Sequence, residues 1–174
     1  MGIEEKLVDS SRKLIDYVVA EVNENEALFE ETLQIAFSGK PQIASRAARV
    51  VCFCVEQKPS LIFPYIDRFI ENIITQKNKS VVMNFLKILT FDILPENEES
   101  LGRLVNYCFE HLLNKDETAA ITVYAMEILY LVTKREPELI PELILVIEDR
   151  IPYGSAGIKH RGLRILKKLK GIQN

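Results

Sequence analysis

Tryptophan is missing from the 174-residue chain, and histidine occurs only at His111 and His160. Two imidazoles leave little material for a histidine-based metal centre or a general base. Glycine and proline number seven each, too few for a fibrous repeat or a chain dominated by tight turns. No Gly-x-x-x-x-Gly-Lys loop, no Gly-x-Gly-x-x-Gly fingerprint and no Gly-x-Ser-x-Gly elbow is present, so the usual phosphate cradles and the hydrolase nucleophile are excluded. The three cysteines, Cys52, Cys54 and Cys108, are an odd number and lie inside apolar stretches, as expected of packed thiols in a reducing compartment. No window approaches the ~18 unbroken apolar residues of a membrane helix. The richest one, Ala119 to Val132, is interrupted by Thr122 and Glu127. The opening residues carry acidic charge and no apolar run, and Lys6 stands where an N-myristoylation signal has serine or threonine. A cytoplasmic location is the expectation.

Apolar residues supply 48% of the chain and charged residues 27%, which is ample for a core. Ile62, Ile66, Phe69, Ile70 and Ile73 fall on one helical face, as do Leu101, Leu104, Val105, Cys108, Phe109 and Leu112. Leu139, Ile140, Leu143, Ile144 and Ile147 form a third stripe. A sustained period of two is found nowhere, so the expected class is all-α. Breakers at Gly39-Lys40-Pro41, Lys58-Pro59-Ser60, Leu94-Pro95-Glu96 and Glu136-Pro137-Glu138 mark short links, and Gly154 to Gly157 precede a last helix. Roughly eight helices result, with sequential neighbours antiparallel.

The chain also repeats. Val50 to Ile62 and Ile128 to Ile140 share one pattern at an offset of 78 residues: apolar helix end, polar link, proline, one variable residue, then Leu-Ile. Ile66 and Ile73 face Ile144 and Ile151 in that register, whereas Ile70 falls opposite Glu148. An intermediate copy begins near Lys87-Ile88-Leu89, so the period is half of 78. Approximate units are 6–40, 41–78, 79–115 and 116–153, with 154–172 as a terminal cap in a single domain. Helix pairs of this length, with Pro59 or Pro137 starting the second helix, resemble HEAT or armadillo-like repeats over about residues 41–170. The resemblance implies a right-handed α-α superhelix of about four helix pairs, each covering the apolar face of the next. It implies a partner-binding groove lined by second helices, where Tyr65, Arg68, Asn72, Arg103, Asn106 and Glu110 are the expected contacts.

Chemistry-bearing residues are otherwise sparse. Cys108 and His111 share a helical face, but two ligands do not make a zinc site, and a packed thiol beside a surface histidine is the simpler reading. The pairs Glu4-Glu5, Glu30-Glu31, Glu98-Glu99 and Glu148-Asp149 read as solvated charge. No catalytic residue, metal or cofactor is expected. Charge is unevenly distributed: residues 1–32 hold nine acids against three bases, and residues 159–170 hold six bases and no acid. The basic end, including Lys159, Arg161, Arg164, Lys167 and Lys168, reads as a soluble cap, as a binding surface, or as one half of a head-to-tail contact. The leading expectation is a non-catalytic interaction or scaffold module for another protein or peptide. The alternative is a nucleic-acid-binding or DNA-repair type of HEAT-like protein, disfavoured by the net charge of −3 and the missing tryptophan.

Overall fold

The computed structural model describes residues 2–172, all of them helix, turn or link. The α-helices are α1 (Ile3–Lys6), α2 (Arg12–Asn23), α3 (Glu26–Ser38), α4 (Pro41–Gln57), α5 (Ile66–Thr75), α6 (Lys79–Leu89), α7 (Glu98–Leu113), α8 (Ala119–Val132), α9 (Ile140–Arg150) and α10 (Ala156–Ile172). That is more than the breakers alone indicate, because a four-residue helix such as α1 carries no readable period. The architecture is all-α.

Caps explain most of the starts. Asn25, Asn78 and Asn97 accept hydrogen bonds from the first free backbone N–H groups of α3, α6 and α7. Pro41 opens α4, where its missing N–H removes no bond. One expected helix starts late. Residues 59–61 and 63–65 form two 3₁₀ turns, each containing a proline, and α5 begins only at Ile66. Pro64 has no N–H to extend a helix from Ser60 and disfavours helical geometry at Phe63. Ile62 is buried all the same. The Pro137–Leu139 turn precedes α9 in the same way, and Leu139 is only half-buried.

The chain forms two compact units, Met1–Ile93 and Leu94–Asn174. In the first, α2, α4 and α6 pack in succession and α3 closes over α2 and α4. Its interior holds Phe29, Phe69 and Phe85, with Phe69 and Phe85 ring centroids 4.5 Å apart. In the second, α8 packs between α7 and α10, and α9 touches α7, α8 and α10. Leu104, Leu112, Met126, Leu143, Ile147, Ile165 and Leu169 fill that interior. Burying each such side chain contributes about 1.5–3 kcal/mol, so both units are held mainly by apolar packing. Gly162 lies where a Cβ would meet Ile151 at 3.0 Å and Ile147 at 3.2 Å, so a bare backbone lets α10 settle on that surface.

Candidate interaction site

The second-helix residues chosen from sequence divide between the units. Tyr65, Arg68 and Asn72 follow one another along α5 and its leading turn at helical spacing. Arg68 donates to Gln34 Oε1 at 2.6 Å and lies 5.5 Å from the Phe37 ring, while Asn72 lines the same shallow groove of about 310 Å³ between α3 and α5. Tyr65 sits 6.2 Å from the Phe29 ring, and burial with the nearby Glu30 carboxylate raises its phenol above the usual range. In the second unit Arg103, Asn106 and Glu110 are exposed on α7. Asn106 lines a cleft of about 530 Å³ whose wall carries Glu96, Glu98, Glu136 and Glu138. A hydrogen bond with Glu138 raises the Glu136 carboxyl there.

The basic helix is less open than its sequence suggests. Arg161 and Arg164 both donate to Glu127 Oε1, the latter at 2.8 Å. Lys168 Nζ lies 4.9 Å from the Tyr130 ring centre, and Lys170 pairs with Glu148 at 2.7 Å. Among the described residues, only Lys159 and Lys167 of the five chosen cations make neither an ion pair nor an aromatic contact. Most of this charge is engaged within its own unit.

The histidine expected at the surface beside Cys108 is half-buried and paired. His111 Nδ1 is 2.7 Å from Glu117 Oε2, and the other oxygen of this buried carboxylate accepts from Thr118 N at 2.8 Å. Cys108 is fully buried with its thiol pushed up by burial, and no group of three metal-ligating side chains occurs among the described residues. Cys52 and Cys54 are likewise buried, their thiols raised to about 11 and about 12. A protonated, enclosed thiol is a packing group and a poor nucleophile. Buried Arg150 donates to Lys115 O at 3.4 Å, and its Nε and Nη1 atoms lack hydrogen-bond partners among the described residues. No helix of the described residues is long and apolar enough to cross a membrane.

Sequence reading passed over a second cation cluster, on α2, α4 and α6. Arg46 and Arg49 line an open groove of about 500 Å³ with Ser10, Gln42, Ser80 and Asn84. Arg46 donates to Leu7 O at 2.7 Å and Arg49 to Ser10 O at 3.0 Å. Beside them the half-buried Phe53 ring has Arg12, Arg49 and Lys87 within 4.7–5.7 Å of its centre. The available signal was two arginines three positions apart in an otherwise apolar helix.

The HEAT repeat domain family matches residues 3–169, nearly the whole chain. The chain belongs to the HEAT repeat family. No curated protein and no solved structure matches it. In this HEAT repeat chain α2 to α9 follow one another through residues 12–150, and α10 comes last. HEAT repeats in general mediate protein interaction and scaffolding.

Proposed function

We propose that this HEAT repeat protein is a non-catalytic docking module that holds a partner protein through the second-helix strip of its first unit. The observation that carries the reading is the helical spacing of Tyr65, Arg68 and Asn72, with exposed Arg68 and half-buried Asn72 lining a groove with Gln34 and Phe37 and half-buried Tyr65 beside Phe29. Arg68 is already held by Gln34 and stacked near Phe37, so little side-chain freedom is lost when a partner arrives. Aromatic and arginine side chains are also the types that dominate binding energy at protein interfaces. The α10 cations serve mainly to fasten that helix to Glu127, Tyr130 and Glu148.

Affinity capture from native cell extract tests the reading. Wild-type protein is expected to retain a specific partner that the Tyr65→Ala/Arg68→Ala/Asn72→Ala variant loses at least tenfold, while Lys159→Gln/Lys167→Gln retains it. Equal retention by the α5 variant overturns the assignment of the face. Retention of nucleic acid instead, released by modest salt, overturns the function.

A further inference from the structure

The groove between α4 and α6 is lined by two arginines and by no carboxylate. Arg46 and Arg49 lie three residues apart on α4, so their Cα atoms are separated by about 4.5 Å along the helix axis. Each guanidinium gives one Nη1 hydrogen to a backbone carbonyl of the α1–α2 link, at 2.7 Å for Arg46 and 3.0 Å for Arg49. A guanidinium has five N–H donors, so a single bond of this kind orients the head group and leaves most of its donors available. Among the described residues neither arginine makes an ion pair. The Asp9 carboxylate interacts with Arg46 and is itself held down by hydrogen bonds from Ser11.

The positive charge continues past the groove. Arg12, Arg49 and Lys87 approach the Phe53 ring at 4.7, 5.7 and 5.7 Å. Of these three, Arg12 alone has a carboxylate partner among the described residues, with its Nε atom 2.7 and 2.9 Å from the two Asp16 oxygens. Arg46, Arg49 and Lys87 thus form a run of like charges in a chain whose net charge is −3. Clustered cations repel one another, and the ring's attraction for each is modest. An anion placed among them relieves that repulsion and completes the donors of both guanidinium groups.

The lining narrows the kind of anion. Gln42 and Asn84 supply amide groups and Ser10 and Ser80 hydroxyls along the groove, the complement an extended peptide backbone needs. Met83, 36% exposed at the edge, offers an apolar contact. Side chains on one face of an extended peptide recur every ~6.7 Å, which lets alternate acidic residues reach Arg46, Arg49 and Lys87 in turn. A nucleic-acid backbone would instead call for cations spread along a longer track.

We propose that the α4/α6 groove is a docking site for an acidic extended segment of a partner protein, with Arg46 and Arg49 as its carboxylate-binding residues and Lys87 as an outer contact. This site is separate from the α5 strip, and its test stands apart from the one above.

The test is fluorescence anisotropy with a labelled synthetic twelve-residue peptide carrying alternate Asp and Glu residues between Gly and Ser, titrated with the full chain. Wild-type protein is expected to bind it with a dissociation constant below 1 mM that weakens as salt rises. Arg46→Gln/Arg49→Gln is expected to weaken binding at least tenfold, Lys87→Gln about threefold, and Lys159→Gln/Lys167→Gln not at all. Lys87→Gln removes no backbone hydrogen bond, so it keeps the test decisive even where the double variant melts early. Unchanged affinity in both α4/α6 variants overturns the proposal, as does absence of binding at millimolar protein. A single-stranded oligonucleotide of equal charge binding more tightly at the same residues also overturns it. So does a concentration-dependent dimer that Arg46→Gln/Arg49→Gln abolishes, which would make a second copy the occupant.

Discussion

Two helices carry an arginine pair at the same spacing, Arg46 and Arg49 on α4 and Arg161 and Arg164 on α10, yet the pairs are satisfied differently. On α10 both guanidinium groups converge on one carboxylate oxygen of Glu127, which is 15% exposed. On α4 each turns to a backbone carbonyl and keeps its charge. A carbonyl accepts a hydrogen bond without cancelling a charge, whereas a carboxylate does both. The α10 pair therefore binds its own unit together, and the α4 pair stays electrostatically available. Counting basic residues along the sequence does not distinguish a carbonyl-held arginine pair from a carboxylate-held one.

The interiors beneath the two pairs are alike, and the largest expected effect lies there. Burial raises Cys52 to about 11 and Cys54 to about 12 and drives Cys108 upward, from an ordinary value near 8.5. Native protein at pH 8 should therefore react with a thiol-specific disulfide reagent at least ~1,000-fold more slowly than urea-unfolded protein at all three cysteines, because reaction waits on opening. The sign for stability follows from proton release. Above pH about 8.5 the unfolded chain loses these protons first, so stability is full below that value and falls as pH rises toward 11–12. Denaturant midpoints measured from pH 7 to 10.5 should show that decline, and Cys54→Ala should flatten part of it. Fast labelling of any one thiol would mean that its unit is open where a packed core is drawn.

The docking of α10 gives the next effect. Replacing Gly162 with leucine puts a side chain where a Cβ alone would already be 3.0 Å from Ile151. Overpacking of this kind costs about 2–3 kcal/mol, or roughly 5–10 °C in melting temperature for a chain of this size. Loosening α10 should also release Arg161 and Arg164 from Glu127, so the variant should elute later than wild type from a sulfonate cation exchanger. A melting temperature within 1 °C of wild type would show that α10 does not rest on Ile147 and Ile151.

Helix stripes and proline links are legible in the sequence because a 3.6-residue period and a missing N–H are local properties. The Pro-x-Leu-Ile links at 59–62 and 137–140 carry the repeat for the same reason. Proline at 64 shortens α5, and its effect depends on which residue finally heads the helix. The α4/α6 groove is much less legible. The partners of Arg46 and Arg49 lie 39 residues away and are backbone carbonyls, which every residue type supplies equally. Glu127 is similarly hidden inside an apolar run that reads as core, although it takes up the charge of two arginines. The second-helix strip is readable in part: Tyr65, Arg68 and Asn72 share a face by spacing, but the involvement of Gln34 and Phe37 depends on how α3 packs.

Removing that shared acceptor breaks the comparison from the other side. Glu127→Gln leaves Arg161 and Arg164 with a neutral acceptor for two cationic donors. The site is partly exposed, so the expected loss is about 1–2 kcal/mol, read as a lower urea midpoint with an unchanged slope. The same variant should leave binding of the acidic peptide to the α4/α6 groove unaltered. A loss of peptide affinity would tie the two arginine pairs together and remove the distinction between them.

The smallest effect discriminates most sharply between the two pairs. Arginine-to-lysine exchange keeps the positive charge but replaces a planar fork by a point donor on a flexible stem. On α4 each arginine donates a hydrogen bond to a backbone carbonyl that solvent can also satisfy, so Arg46→Lys/Arg49→Lys should cost under about 1 kcal/mol in total. On α10 the two guanidinium groups meet at one oxygen, and two lysines there would have to crowd mobile ammonium groups around it. Arg161→Lys/Arg164→Lys should therefore destabilise the chain more than the α4 exchange, by a margin that high salt narrows because exposed pairs are screened. Paired urea titrations at low and high ionic strength measure that margin. Equal losses for the two exchanges would show that carbonyl-held and carboxylate-held arginines do the same structural work, and the α4 pair would lose its claim to spare binding capacity.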